Sequence, residues 1–193
     1  MVENSTISNI IFEVIENNTF KNCSKISTIA IPSTISVIGI SSSQNCISHY
    51  SISFPASNLQ ILERAFENCI YLLRVDNIIS KVAESCFHGC SRLSQVTLRE
   101  GSEMSGIRSF ENCCSLASIS IPLTFRIIAE YVFDSSNKLK SIIFSSETNL
   151  ESLSINSFSV YISLTNISDF ESSQYKCIDN TDKIKFITFY SII

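Results

Sequence analysis

The amino-acid sequence predicts a right-handed α/β solenoid with one parallel β-sheet face and with short helical turns and loops on the opposite face. The first observation is a recurring phenylalanine, at spacings of 46, 21, 23, 23 and 25 residues. Ser43 stands midway in the longest gap, where a phenylalanine is missing. The second observation is a cysteine three residues after most of these positions, and an aliphatic residue three further on. A fixed period of this length is typical of a solenoid, because each unit buries its apolar side only against its neighbours. The phenylalanines are Phe20, Phe66, Phe87, Phe110, Phe133 and Phe158.

A short strand is predicted after the cysteine of each unit. In the clearest copy, Leu116-x-x-Ile119-x-Ile121-Pro122, apolar and polar residues alternate at the end of the segment, as in a strand with one buried face. The proline ends the strand because it lacks the N–H that the next ladder bond needs. Strands that recur about once per 23 residues are expected to run parallel, with neighbours about 4.8 Å apart.

The rest of each unit is predicted to close the coil. One or two aliphatic residues turn inward after the strand, and a small residue followed by phenylalanine fills the side away from it. An asparagine before the cysteine suits a turn, as at Asn22, Asn68 and Asn112. The inward aliphatics are Ile35, Ile38, Ile61, Val82, Ile107, Ile128 and Leu153. The predicted core of the repeat is Phe66, Cys69, Leu72, Phe87, Cys90, Leu93, Phe110, Cys113, Leu116 and Phe133.

Eight cysteines leave three interpretations open. Five of them occupy one repeat position and would stack along the coil axis, where free thiols behave as small buried hydrophobes. Disulfides between neighbouring coils are compatible with the spacing, but five stacked thiols cannot all pair with one another. Zinc is disfavoured because the chain has no Cys-x-x-Cys pair and only two histidines. The five are Cys23, Cys46, Cys69, Cys90 and Cys113.

Catalytic chemistry finds no support in the residue pattern. His49 replaces a core aliphatic residue, His88 lies in a turn where we expect it to be solvated, and the repeat geometry places no acidic residue or nucleophile near either. The carboxylates form no pair in register between coils, and no glycine-rich phosphate loop is present. We therefore expect no enzymatic activity, no cofactor and no metal ion.

The exposed face of the sheet is the surface on which binding is expected. Its outward side chains are small and polar, and none is an aromatic residue of the kind that dominates binding energy at interfaces. The middle of this face is its most distinctive part. The alternative interpretation is that the whole face is solvated and binds no ligand. The candidate binding residues on this concave face are Arg74, Asp76, Gln95, Thr97, Ser118 and Ser120.

The unit as a whole resembles the BspA-like leucine-rich repeat of the Treponema pallidum type. The segment Leu62-Glu63-Arg64-Ala65-Phe66-Glu67-Asn68-Cys69-Ile70-Tyr71-Leu72 is nearly a consensus copy, and the resemblance extends from about Ile7 to Phe189. It implies a cell-surface or secreted protein that adheres to host proteins or to other cells. That implication rests on the fold and names no ligand.

We expect residues 1–193 to form a single solenoid of about eight or nine units, uncapped at both ends, with a degenerate C-terminal repeat at 170–193. Uncapped ends predict a segment of a longer protein or end-to-end self-association. A net charge of -4 without a basic cluster argues against nucleic acid, and no apolar run is long enough for membrane insertion. The predicted function is non-enzymatic binding of protein or glycan, in cell-surface adhesion. An intracellular interaction scaffold is the alternative, because no signal segment is visible.

Overall fold

The fold is a solenoid of parallel strands. The computed structural model describes residues 13–25, 30–46, 51–55, 59–78, 81–145, 150–157 and 166–168. The strands found there are, in chain order, β1 (Val14–Ile15), β2 (Val37–Ile38), β3 (Ser51–Ser53), β4 (Gln60–Ile61), β5 (Arg74–Ile78), β6 (Gln95–Leu98), β7 (Met104–Ser105), β8 (Ser118–Ile121), β9 (Ile127–Ile128), β10 (Ser141–Phe144), β11 (Ser152–Leu153) and β12 (Asn166–Ser168).

These strands form two ladders rather than the one predicted sheet. The longer strands β3, β5, β6, β8, β10 and β12 form the first, which we call the long-strand ladder. The two-residue strands β1, β2, β4, β7, β9 and β11 form the second, the short-strand ladder, in which Val82 bridges Ile61 to Ser105. Every pairing is parallel, as the fixed period requires. The second ladder was missed because two residues are too few to show an alternating pattern.

The long-strand ladder has the predicted inside and outside. Ser51 pairs with Arg74 and Arg74 with Gln95, and all three side chains are exposed. Ile52, Val75, Ile119 and Ile142 face the core, with relative exposures of 2% or less.

The predicted helical turns are not found in the described residues, which contain one 3-10 helix of three residues, Ile155–Ser157. Turns replace them, and alternate N–H groups of each turn segment bond to the next coil. Ser41, Ser43 and Asn45 donate to the carbonyls of Glu63, Ala65 and Glu67. A helix would satisfy these groups within one coil. Here they hold adjacent coils together instead.

The turns depend on residues in the left-handed region, two per coil and four positions apart. The second of each pair precedes the cysteine position, and the asparagines predicted there are confirmed as turn residues, with φ of 63° at Asn22, 57° at Asn68 and 59° at Asn112. Asparagine tolerates this region better than other residues with a Cβ atom, and glycine, as at Gly89 with φ 72°, tolerates it best. The first members of the pairs are Asn18, Ser41, Arg64, Ser85, Arg108 and Tyr131.

Substitution of Asn112 tests this backbone requirement. We expect Asn112→Ala to lower the free energy of unfolding by about 1 kcal/mol, because alanine is strained at positive φ. Asn112→Gly should lie closer to wild type, although it loses the same side-chain contacts. Urea unfolding of the three proteins measures the difference, and equal losses in both variants would contradict the backbone explanation.

A column of stacked phenylalanines runs through the core, as predicted. The ring centroids of Phe66, Phe87, Phe110 and Phe133 are 5.5, 5.4 and 5.9 Å apart in succession, with interplanar angles of 8° or less. Below Phe66 the column changes, because Ser43 occupies the equivalent position. There Phe54, which belongs to the same repeat unit as Ser43, packs against Phe66. The ring centroids are 5.9 Å apart and the interplanar angle is 53°. All ten predicted core residues are buried.

One inward assignment was wrong. Ile107 is 43% exposed, and Ser105 takes the inward position of that coil at 2% exposure. Ser105 pairs with Ile128 in the short-strand ladder, which fixes the register. The aliphatic pattern does not identify this position, because its inward residue is polar.

The cysteine position has a repeated hydrogen-bonding role. Each thiol donates to the carbonyl at the phenylalanine position of the preceding coil, with Sγ–O distances of 2.9 Å for Cys46, 3.2 Å for Cys69, 3.2 Å for Cys90 and 3.4 Å for Cys113. Ser136 takes the same position one coil later, and its hydroxyl donates to Phe110 O at 3.0 Å. A small donor, rather than sulfur chemistry, is therefore what the fold uses here.

Candidate functional site

The predicted binding residues lie on the exposed side of the long-strand ladder, and four of them form one hydrogen-bonded network. The Arg74 guanidinium donates to the Asp76 carboxylate and, at 3.1 Å, to Gln95 Oε1. The Thr97 hydroxyl donates to the other Asp76 oxygen at 3.2 Å. The hydrogen bond and charge of Asp76 raise the pKa of Arg74 above its ordinary value. The network holds these side chains in fixed orientations on the surface of two neighbouring strands.

A β-bulge shapes this network. The register between β5 and β6 shifts between Val75 and Ile78, where Asn77 is the extra residue and has a φ of 62°. The bulge leaves Asp76 and Asn77 both partly exposed, and the Asn77 amide donates to Ser53 Oγ at 3.1 Å. Bulges re-aim side chains and increase local twist. Asn77 and Ser53 thus form a second polar pair beside the network, on β5 and β3.

The ladder is interrupted beside the network. Among the described strands, β6 and β8 are neighbours without regular pairing, and they belong to separate three-stranded sheets. A depression of about 280 Å³ lies there, and five of the six predicted residues line it. They are Arg74, Gln95, Thr97, Ser118 and Ser120. Asp76 is hydrogen-bonded to two of these lining residues, Arg74 and Thr97.

An exposed apolar patch, which the sequence analysis missed, lies at the margin of the same face. Ile70, Tyr71 and Leu73 are 38%, 39% and 37% exposed and immediately precede β5. The guanidinium of Arg92 lies over the Tyr71 ring, 5.0 Å from its centroid. The expected lack of aromatic residues is therefore correct for the outward side chains of the described strands but not for the margin of the face. In the segment Ile70-Tyr71-Leu72-Leu73, only Leu72 occupies a core position of the repeat. The three other large apolar residues were the signal in the sequence for an exposed patch.

A larger groove, also missed, lies along the short-strand ladder. It has a volume of about 610 Å³. A short coil accompanies it: Val75 and Val82 are seven positions apart, whereas Ile52 and Ile61 are nine apart. The spacing of 21 between Phe66 and Phe87 was the available signal. Its apolar lining includes Ile40, Leu62, Ala83, Met104, Ile107 and Ala129, and its charged lining is Glu63, Lys81 and Glu84.

The environment of His88 corrects another expectation. Its Nδ1 lies 3.4 Å from Glu67 Oε1, and its Nε2 lies 3.8 Å from Glu111 Oε2. Arg108 Nε lies 3.4 Å from the same Glu111 oxygen. His88 is therefore flanked by two carboxylates on adjacent coils, and its side chain is only 27% exposed. The three residues share one turn position, so the register contained this signal. His49 lies outside the described residues.

The described cysteines are all free thiols. Burial raises the pKa of Cys69, Cys86, Cys90 and Cys113 well above the ordinary value of 9.0, and it raises that of Cys46 as well. These thiols are protonated at neutral pH, as Cys46, Cys69, Cys90 and Cys113 must be to donate the hydrogen bonds above. In the described ranges, no group of three or more histidine, cysteine or acidic side chains is arranged to hold a metal ion. The same ranges contain no helix with the length and hydropathy of a membrane-spanning segment.

The parallel ladders, the phenylalanine column and the cysteine position define a leucine-rich-repeat solenoid. The family described as BspA type leucine-rich repeat region matches residues 2–73 and 70–185, in six copies. The chain belongs to this family. Two solved structures are similar to it. A leucine-rich repeat protein from Bacteroides ovatus aligns with a TM-score of 0.68 and 24% identity, over 88% of this chain and 52% of that protein.

The second solved structure is a leucine-rich cell surface protein from Faecalibacterium prausnitzii, with a TM-score of 0.37 and 17% identity. The alignment covers 80% of this chain and 64% of that protein. The chain thus spans about half of the Bacteroides protein and under two thirds of the Faecalibacterium protein. No curated protein matches the chain.

Proposed function

We propose that this chain is a non-enzymatic module that binds a protein or glycan ligand through the exposed side of the long-strand ladder, in adhesion at the cell surface. The observation that carries the proposal is the network of Arg74, Asp76, Gln95 and Thr97 beside the depression between β6 and β8. Membership of the BspA-type family supports the assignment to surface adhesion. End-to-end self-association stays a prediction, because residues 170–193 and the N-terminal twelve lie outside the described part.

The chemistry of the network suits ligands with several hydroxyl or amide groups. Its guanidinium, carboxylate and carboxamide groups can each donate to or accept from a ligand while they remain bonded to one another. The depression beside them offers hydroxyl groups from Ser118 and Ser120. The patch around Tyr71 adds exposed apolar area of the kind that interfaces use. A polar site next to an aromatic margin is compatible with both sugars and peptide segments.

The test compares two arginines of equal exposure. The chain would be applied to a printed glycan array and to a panel of immobilised extracellular-matrix proteins. We expect Arg74→Ala to weaken any binding at least about tenfold, as for a central contact. Arg126 is the matched control, because it is 55% exposed, against 54% for Arg74, and is likewise ion-paired, to Glu151, but lies outside the depression.

Thermal unfolding separates binding from folding. Arg74 is 54% exposed, so Arg74→Ala should leave the melting temperature close to that of wild type. Equal binding by the Arg74→Ala and Arg126→Ala variants would contradict the proposed site. Binding by neither wild type nor variants to any glycan or matrix protein would contradict the proposed ligand class.

A further inference from the structure

We propose that the groove on the short-strand ladder is a second binding site, which takes an extended peptide segment with a basic residue between two aliphatic residues. The groove belongs to a different ladder from the site proposed above. Its volume of about 610 Å³ is within the range of about 300–1,000 Å³ that is usual for ligand sites.

Four exposed side chains form a row along the groove, which we call the groove row: Ile40, Glu63, Glu84 and Ile107. Backbone hydrogen bonds fix their alignment. Ser41 N donates to Glu63 O, Arg64 N to Glu84 O and Ser85 N to Ile107 O, at 3.0, 3.0 and 2.9 Å. Each member therefore lies one coil from the next. The row begins with an aliphatic residue, continues with two carboxylates and ends with a second aliphatic residue.

The groove row presents negative charge between two apolar ends. Ile40 and Ile107 are 41% and 43% exposed, so both ends of the row present apolar surface. Neither Glu63 nor Glu84 forms an ion pair within the part of the chain that the structure describes. Lys81 is the only cation among the described lining residues, so the lining has one negative charge in excess. A complementary partner is apolar at both ends and cationic in the middle.

A second copy of the chain does not fit this requirement. A two-fold axis through the centre of the groove row would place Glu63 of one copy opposite Glu84 of the other. Like charges so placed repel each other, which favours a different partner. The observations therefore point to a cationic segment of another protein.

The dimensions select an extended segment. Coils stack about 4.8 Å apart, so Ile40 and Ile107, three coil steps apart, are separated by about 14 Å. In an extended peptide, residues 1, 3 and 5 face the same side and span about 14 Å at about 3.4 Å per residue. The first and fifth side chains would then contact the two isoleucines. The third, a lysine or arginine, would lie between Glu63 and Glu84.

The test uses a defined pentapeptide, acetylated and amidated, of sequence Leu-Ser-Lys-Ser-Leu. It would be titrated into the ¹⁵N-labelled 193-residue chain, with amide shifts recorded by NMR. We expect saturable shifts at Ala83, Gly106 and Ala129, which line the groove. The peptides Leu-Ser-Glu-Ser-Leu and Ser-Ser-Lys-Ser-Ser should each bind at least about tenfold more weakly, because each lacks one half of the complementarity.

Charge-neutral variants identify the contacts. The double variant Glu63→Gln/Glu84→Gln should lose about tenfold in affinity for the lysine peptide and should no longer prefer it to the glutamate peptide. Glu130→Gln is the matched control, because Glu130 O accepts from Arg108 N one coil beyond the groove row, outside the lining. Its affinity should equal that of wild type.

Three results would overturn the proposal. They are equal binding of the lysine and glutamate peptides, shifts confined to the Gln95 and Ser118 amides, and no shift at millimolar peptide. The Arg74→Ala variant keeps the two proposals distinguishable. It should bind the pentapeptide as wild type does, whatever happens to its binding of glycans or matrix proteins.

Discussion

Raising the pH above 9 is expected to destabilise the solenoid steeply, because the buried thiols keep their protons only in the folded chain. The pKa of Cys69, Cys86, Cys90 and Cys113 is raised by burial from the ordinary value of 9.0. Above that pH the unfolded chain releases these protons and the folded chain does not. The stabilisation is therefore complete below pH 9 and is lost as the pH rises towards the folded-state pKa. Each such thiol lowers the free energy of unfolding by about 1.4 kcal/mol per pH unit.

Four thiols together give a slope of several kcal/mol per pH unit, which is comparable with the whole stability of an ordinary domain. Urea unfolding under reducing conditions, at half-unit intervals from pH 7.5 to 10, measures it. Lysine and tyrosine groups also titrate in this range, so a variant must isolate the thiol contribution.

Serine is the natural replacement, because Ser136 already occupies the cysteine position in one coil and donates the same hydrogen bond. Cys90→Ser and Cys113→Ser should each reduce the slope by about 1.4 kcal/mol per pH unit, whatever they do to stability at neutral pH. An unchanged slope in both variants would show that these thiols do not carry the pH dependence. Rapid reaction of Cys90 with a thiol reagent in the native chain at pH 8 would contradict its burial directly.

The features that could be predicted from the sequence are those that occur once per coil in one column. Phe66, Phe87 and Phe110 recur at a constant place between the cysteine and the small residue, so parallel stacking follows from the period alone. The inside and outside of the long-strand ladder follow from alternation in segments such as Ser118–Ile121. The positions of Arg74 and Gln95 in the candidate site could be predicted for the same reason, since they depend only on the register between strands.

The features that could not be predicted arise where a coil is longer or shorter than the average repeat unit. The sequence of the average unit does not show what such a change does to the structure. The bulge at Asn77 and the short spacing between Val75 and Val82 are two such departures from the average unit, and neither is visible in a consensus. Arg64 and Tyr131 adopt left-handed conformations that their residue types do not favour, because the stacked neighbours impose the turn. The pairing of His88 with Glu67 and Glu111 was available from the register. The position of His88 in a turn favours solvation, whereas stacking of the coils brings the two carboxylates to either side of it.

Truncation of a ring in the phenylalanine column is expected to destabilise the chain strongly. Phe110 is 1% exposed and stacks on Phe87 at 5.4 Å and on Phe133 at 5.9 Å. Phe110→Ala removes both contacts and leaves a cavity that stacked coils cannot collapse without loss of their hydrogen bonds. We expect a loss of about 3–5 kcal/mol in the free energy of unfolding, measured by urea titration.

Ile107 provides the matched control within the same coil. It is a large aliphatic residue three positions away, but it is 43% exposed in the structure. Ile107→Ala should therefore change the free energy of unfolding by no more than about 0.5 kcal/mol. If Ile107→Ala destabilised the chain more than Phe110→Ala, Ile107 would face the core and the register of the short-strand ladder at Ser105 would be wrong. The pair of variants thus tests the packing of the column and the position of the groove wall in one experiment.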